Sequence, residues 1–211
     1  MKQLSVKPTL INEVGPYALL TNSKIICISA LYLAYLDVLG KRNADLYKIA
    51  YNNISKDEIS KQLLDLIKTK TKRFGSEHFK VNALDFSIRN YLDPRFSNSN
   101  IFLSELITNL LDIQKSDVVF DFGSGTGAFL AYIACYLDDT LIRHELRGAE
   151  ISGEDYNLSK MVLEMCGAKY NISNIDVLRA ELDSKEKSYD KGYVFPPIGL
   201  RPDATSYSIY G

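Results

Sequence analysis

Between residues 121 and 130 the chain reads Asp121-Phe122-Gly123-Ser124-Gly125-Thr126-Gly127-Ala128-Phe129-Leu130. Glycines spaced this closely let a backbone reverse sharply and come near a bound group, which then meets the N–H groups opening the next helix. Two nucleotide chemistries fit the run. A dinucleotide loop wants Gly-x-Gly-x-x-Gly with an acid about 20 residues further on; Gly123, Gly125 and Ala128 meet that pattern with alanine in the third place. The other pattern is an acid two residues ahead of Gly-x-Gly-x-Gly, and Asp121 with Gly123, Gly125 and Gly127 fills every position, Thr126 lying inside the turn. A carboxylate there suits a cationic ligand and repels a diphosphate. Glu150 sits at the end of a second predicted strand, where a carboxylate can accept both hydroxyls of a ribose through bonds worth about 1.5–3 kcal/mol each. Asp176, after a third strand, is placed to accept from an adenine amino group. The bland alternatives are a turn with no ligand, a surface glutamate and a plain loop acid.

These residues need elements to hold them, and the second half of the chain supplies alternating strand and helix signals. Val118 to Phe122 reads as a short apolar strand, Gly127 to Leu137 as a helix packed on a sheet, and Glu145 to Ile151 as a second strand. Tyr156 to Cys166 is the next helix, Asn174 to Leu178 a weak third strand and Lys191 to Phe195 a fourth. Alternation of this kind predicts an α/β fold with a doubly wound parallel sheet. Phe102 to Leu111 is an amphipathic helix ahead of it. The first half lacks strand signals. Lys24 to Leu39 reads as a mostly buried helix with Asn22 or Ser23 as N-cap and Gly40 just beyond its end. A second helix runs from about Ala44 to Asn52. A third follows Ser55, which has capping-box spacing to Glu58; it carries Ile59, Leu63, Leu64 and Ile67 on one face and ends by Gly75. We therefore expect a helical domain over residues 1–97, a linker around Asp93 to Asn100 and an α/β core over 98–211.

Composition narrows the function. The 211 residues carry 25 Lys+Arg against 26 Asp+Glu, a net charge of −1, which excludes a free-standing basic nucleic-acid module. The basic cluster Lys68, Lys70, Lys72 and Arg73 reads as a solvated helix end. Cys27, Cys135 and Cys166 are odd in number and far apart in sequence, as expected of reduced thiols in a cytoplasm. The longest apolar stretch, Ile25 to Leu39, is broken by Asp37 and short for a membrane span. His78 and His144 have no metal-ligand or triad spacing, so no metal is expected.

The run from Asn98 to Pro197 resembles the adenine-N6 DNA methyltransferases, most of all the modification subunit of type I restriction–modification systems. Asp121 to Leu130 aligns without gaps with that family's Asp-Pro-Ala-Cys-Gly-Ser-Gly-Gly-Phe-Leu loop, keeping Gly125, Gly127, Phe129 and Leu130. Gly148-Ala149-Glu150-Ile151 resembles its Gly-x-Glu-Ile strand, Ile175-Asp176-Val177-Leu178 the segment beside the adenine, and Tyr189-Asp190 the pair before the fourth strand. The resemblance implies a helical bundle followed by a Rossmann-like methyltransferase core, with S-adenosylmethionine as cofactor. It implies contacts to that cofactor from Ser99, Asp121, Gly123, Gly125, Thr126, Gly127, Glu150 and Asp176. It further implies DNA as substrate, with a specificity subunit and a restriction subunit as partners, and leaves self-association open.

Two departures stand out. The family's Thr-Pro ahead of the first core helix is Ser99-Asn100 here, and a serine can still cap the helix and reach the cofactor. The catalytic Asn-Pro-Pro-Phe or Asn-Pro-Pro-Tyr is Phe195-Pro196-Pro197-Ile198. In the family the asparagine oxygen and the first proline carbonyl accept the two amino hydrogens of adenine, and the aromatic stacks on the flipped base. Phe195 has no acceptor, which leaves one hydrogen unpaired at about 1–3 kcal/mol. Ile198 forfeits stacking worth roughly 1–3 kcal/mol. The expected activity is therefore impaired, and the chain ends at Gly211, shortly after the fourth strand, where the family's core goes on. A non-catalytic subunit that binds the cofactor without methylating is the alternative; a small-molecule methyltransferase or NAD-linked enzyme sharing only the loop is a third.

Overall fold

A computed structural model describes residues 10–21, 23–40, 43–88, 101–114, 116–136, 145–177 and 189–194. Helices come first in the chain: α1 (Leu10–Thr21), α2 (Lys24–Leu39), α3 (Ala44–Ile54), α4 (Glu58–Thr71), α5 (Ser76–Ile88) and α6 (Ile101–Leu111). Then β1 (Val118–Asp121), α7 (Ala128–Tyr136), β2 (Glu145–Ala149), α8 (Gly153–Met165), β3 (Tyr170–Ser173) and β4 (Lys191–Tyr193) follow. Helix α2 starts at Ser23, whose hydroxyl accepts from the Ile26 N–H, and stops at Gly40 in the left-handed region, as its sequence signals require. Helix α4 is capped by Asp57, not by Ser55: the Asp57 carboxylate accepts from the Ser60 N–H and hydroxyl, while Ser55 ends α3. A carboxylate offers two acceptor atoms where the Ser55 hydroxyl offers one, and Asp57 wins the cap. Leu63, Leu64 and Ile67 are buried as expected, but Ile59 is exposed.

All four strands run parallel in the order β3-β2-β1-β4. The third strand begins at Tyr170, earlier than the Asn174 that its sequence signal suggests. Gly167 takes φ 68° after α8, and the chain enters the sheet at once, pairing Tyr170 with Leu146. Asn174 to Asp176 therefore form the turn beyond the strand. Val119, Asp121, Leu146 and Gly148 face the helices and are buried. On the opposite face Phe120, Phe122 and Tyr189 meet in tilted and edge-to-face contacts at 4.5–5.6 Å between ring centres. They can do so because position 192 is glycine, where a Cβ would meet Phe122 at 3.2 Å and Tyr189 at 3.3 Å.

One hydrophobic core runs from Leu10 through α2, α5, α7 and α8 to Ile172. Helices α2 and α5 both lie against α8, and α5 also against α7, so the helical first half packs on the core helices. Glu164, near the end of α8, fastens this contact. Its Oε2 accepts from the Tyr32 hydroxyl at 2.9 Å and Asn43 Nδ2 at 3.0 Å, and its backbone carbonyl from the Tyr35 hydroxyl at 3.1 Å. Helix α6 is amphipathic in the unexpected sense. Ser104 and Thr108 are its buried positions, with the Thr108 hydroxyl donating to the Ser104 carbonyl at 2.7 Å. Phe102, Leu106 and Leu110 are exposed. Cys135 and Cys166, 31 residues apart in sequence, come within 3.9 Å of each other at their sulfurs. No helix among the described residues is long and apolar enough to cross a membrane.

Candidate functional site

Parallel strands end side by side, so the residues that close them meet at one edge of the sheet. Asp121 is the last residue of β1, paired in register with Gly148 on β2 and Tyr193 on β4. Glu150 comes just after β2 and is tied back to β3, its N–H donating to the Ser173 carbonyl at 3.0 Å. The glycine turn between β1 and α7 lies across both. Its Ser124 N–H donates to the Ala149 carbonyl at 3.0 Å and its Gly127 N–H to the Ser124 carbonyl at 2.7 Å.

Two acids brace this turn. Asp121 Oδ1 accepts from the Gly123 N–H at 3.2 Å. Glu150 Oε2 accepts from the Gly125 N–H at 2.7 Å and its Oε1 from the Ser152 N–H at 2.8 Å. Glu150 is thus already engaged with backbone, and its remaining lone pairs are what it has for a ligand hydroxyl. Gly125 and Gly127 have φ of 50° and 78°, which l-residues with a Cβ adopt only at a cost. A Cβ on Gly127 would also meet Ser159 of α8 at 3.1 Å, whereas Cβ atoms on Gly123 and Gly125 would enter open space. The turn therefore keeps one glycine for packing and two beside free volume.

Asp121 is 2% exposed. Burial pushes its carboxyl up to about 7, against the Gly123 N–H, which favours the anion, and with the Glu150 charge, which does not. Asp155, in the first turn of α8, is raised to about 6, first by burial and then by Glu150. Burial and mutual repulsion disfavour the ionised carboxylates, while the Lys24 charge favours that of Asp155. Two polar atoms, Ser124 Oγ and Asp155 Oδ1, are buried with no hydrogen-bond partner.

The remaining expected positions distribute as follows. Thr126 is buried and turned toward the helical half, its hydroxyl facing the Ser87 carbonyl at 3.5 Å. Asp176 is half-buried in the turn after β3. Ser99 and the run Phe195, Pro196 and Pro197 lie outside the described residues; that run starts two positions after Tyr193, the register partner of Asp121. His78 stacks on Phe74 at 4.9 Å between ring centres, and its Nδ1 accepts from the Gly75 N–H at 3.4 Å; His144 lies outside the described residues. Among the described residues no His, Cys, Asp or Glu group is placed to hold a metal ion.

Three contributors have no motif. Asn174 donates from Nδ2 to the Glu150 and Ile151 carbonyls at 2.7 and 3.1 Å, fixing the backbone that presents Glu150. Asp155 joins the acid cluster. Lys24, the first residue of α2, is 1% exposed and donates from Nζ to the Ser87 carbonyl at 2.7 Å. A cation at a helix N-terminus opposes the helix dipole, and that oddity was the one signal available for it.

Residues 100–200 match the family model for N-6 DNA methylase. No curated protein matches the chain. Among solved structures, the type I restriction–modification system methyltransferase subunit from Streptococcus thermophilus aligns with a TM-score of 0.54 at 15% identity, over 72% of this chain and 36% of its own. A protein from Listeria monocytogenes assigned to the class I S-adenosylmethionine-dependent methyltransferases aligns at 0.53 and 15% identity, over 91% of this chain and 61% of its own. The chain thus spans about a third of the first protein and less than two-thirds of the second, and the fold it shares with them is the methyltransferase fold. With two parallel strands leading into acids and the glycine turn between them, the segment from residue 100 to 200 is similar to the N-6 DNA methylase family.

Proposed function

We propose that the chain binds S-adenosylmethionine at the Gly123–Gly127 turn and forms the donor-binding part of a DNA adenine-N6 methyltransferase of the restriction–modification kind. The observation that carries this reading is the pairing of Asp121 and Glu150 on one glycine turn that has open space over Gly123 and Gly125. The donor set suits that cofactor: it is a nucleoside with a ribose diol, an ammonium and a sulfonium, and among the described residues the turn offers carboxylates and backbone N–H groups. When bound, the cofactor supplies an electrophilic methyl group. Glu150 would hold the ribose hydroxyls, Asp121 would meet the cationic amino-acid end, Asp176 would accept from the adenine amino group, and Ser99 would contact the cofactor. Arriving positive charge draws Asp121 into its ionised form and releases its proton. The protein's contribution to a direct displacement is then placement of the two reactants. Phe195-Pro196-Pro197 borders the target base, and because Phe195 has no acceptor atom, transfer is slow. DNA is engaged together with a specificity subunit and a restriction subunit, in the cytoplasm.

The same Phe195 favours a second reading, a non-catalytic subunit that keeps the cofactor site and has lost methylation. Calorimetry with S-adenosylmethionine, S-adenosylhomocysteine and NAD, followed by transfer of labelled methyl to DNA, tests both. Donor binding with slow transfer supports the first, donor binding with no transfer the second, and binding of NAD alone sinks both. Glu150→Ala should weaken the donor at least tenfold, since it removes bonds of about 1.5–3 kcal/mol and frees the Gly125 N–H; an unchanged affinity would show that Glu150 is not the ribose acceptor.

A further inference from the structure

Lys24 is among the largest fully buried side chains of the described residues, and a buried ammonium is tolerated only where fixed acceptors and charges surround it. Its acceptor is the Ser87 carbonyl, at the end of α5, at 2.7 Å. The same carbonyl faces the hydroxyl of Thr126 at 3.5 Å, inside the glycine turn. Helix α2 also packs against α8, and the Lys24 charge favours the ionised form of Asp155, which the charges of Glu150 and Glu154 oppose and a hydrogen bond from the Ser152 cap favours. Lys24 therefore sits where α2, α5, α8 and the turn converge.

We propose that Lys24 is a positioning residue of the donor site: its ammonium holds the Ser87 carbonyl against Thr126 and supplies the positive charge that Asp155 faces, so that the helical half sets the geometry of the glycine turn. The inference deepens the donor-binding reading and rests on it for the ligand, but the turn itself can be read without one. Asp155 Oδ1 has no hydrogen-bond partner, so a cation nearby is what offsets the charge of that carboxylate when it ionises. The cation is supplied from outside the segment that matches the methylase family.

The test is amide hydrogen exchange on the ligand-free chain, followed by donor titration. In Lys24→Met the Gly125 and Gly127 amides, bonded to Glu150 and Ser124, should exchange about tenfold faster or more, a loss of the size expected for one hydrogen bond to a charged group, while Val162 and Leu163 inside α8 keep their protection. Lys24→Arg, which keeps the charge, should restore the turn, and donor affinity should follow the same order. If Lys24→Met does not unfold cooperatively, Lys24→Met/Asp155→Asn, which leaves neither buried charge alone, is read in its place. Unchanged exchange at Gly125 and Gly127, equal acceleration in the turn and α8, or no recovery with arginine would each overturn the proposal. A wild-type chain that binds no donor would sink the donor reading, and the exchange rates alone would then decide whether Lys24 positions the turn.

Discussion

Replacing the three glycines of the turn by alanine, one at a time, separates backbone strain, packing and ligand space. Gly127→Ala meets two penalties. At φ 78° an l-residue costs about 1–2 kcal/mol, and the new Cβ at 3.1 Å from Ser159 adds overpacking of about 1–3 kcal/mol. The total is about 2–5 kcal/mol, which for a chain of this size lowers the melting temperature by roughly 4–20 °C. Gly125→Ala has φ 50° but open space, so strain alone remains, about 1–2 kcal/mol. Gly123→Ala has neither penalty and should change stability by less than about 0.5 kcal/mol. Thermal and urea unfolding of the three ligand-free variants, under one set of conditions, gives the order directly. Donor titration then adds the third component: Gly123→Ala should bind less well than wild type although equally stable, because its methyl occupies the volume over the turn. Equal losses at Gly125 and Gly127, or the largest loss at Gly123, would refute the reasoning.

Two further outcomes follow from the buried acids. Asp121 keeps its proton up to about 7 in the folded chain against 3.8 unfolded, so the folded state binds more protons between those values. Its contribution is fully present below pH 4 and is lost as pH rises through 7, at a limiting slope on the order of 1.4 kcal/mol per unit. Asp121→Asn should flatten that part of the ligand-free stability curve; parallel curves for variant and wild type would contradict it. Near the end of α8, Glu164→Ala removes the acceptor of Tyr32 and Asn43 and should cost about 3–6 kcal/mol at two bonds to a charged group. Glu164→Gln should cost about half of that, and a urea midpoint unmoved by either change would rule the latch out.

The glycine turn and its two acids could be read from the sequence because each requirement is local: φ above zero, close approach, and a carboxylate at a strand end. Ser23 and Gly40 were readable for the same reason. Helix α5 was not. It is buried from Phe79 to Ser87 without interruption, and a helix covered on all sides has no stripe for periodicity to detect. Helix α1 hides behind Gly15 and Pro16, the latter inside the helix, and those residues ordinarily signal a break. The Asn174 signal misplaced β3 because Asn174 serves the Glu150 carbonyl rather than the sheet. Lys24 and Asn174 contribute through partners 63 and 24 residues away, distances over which spacing carries no information.

Helix α8 is held twice by the first half of the chain, at Glu164 by the α2 tyrosines and along its length by α2 and α5 packed against it. A beam clamped twice cannot be lifted from one end alone. Cutting the gene at residue 100 to isolate the methylase segment would strip the apolar roof from α7 and α8 and leave Glu164 without its donors. Any excised or transplanted version of this glycine turn has to bring α2 and α5 with it.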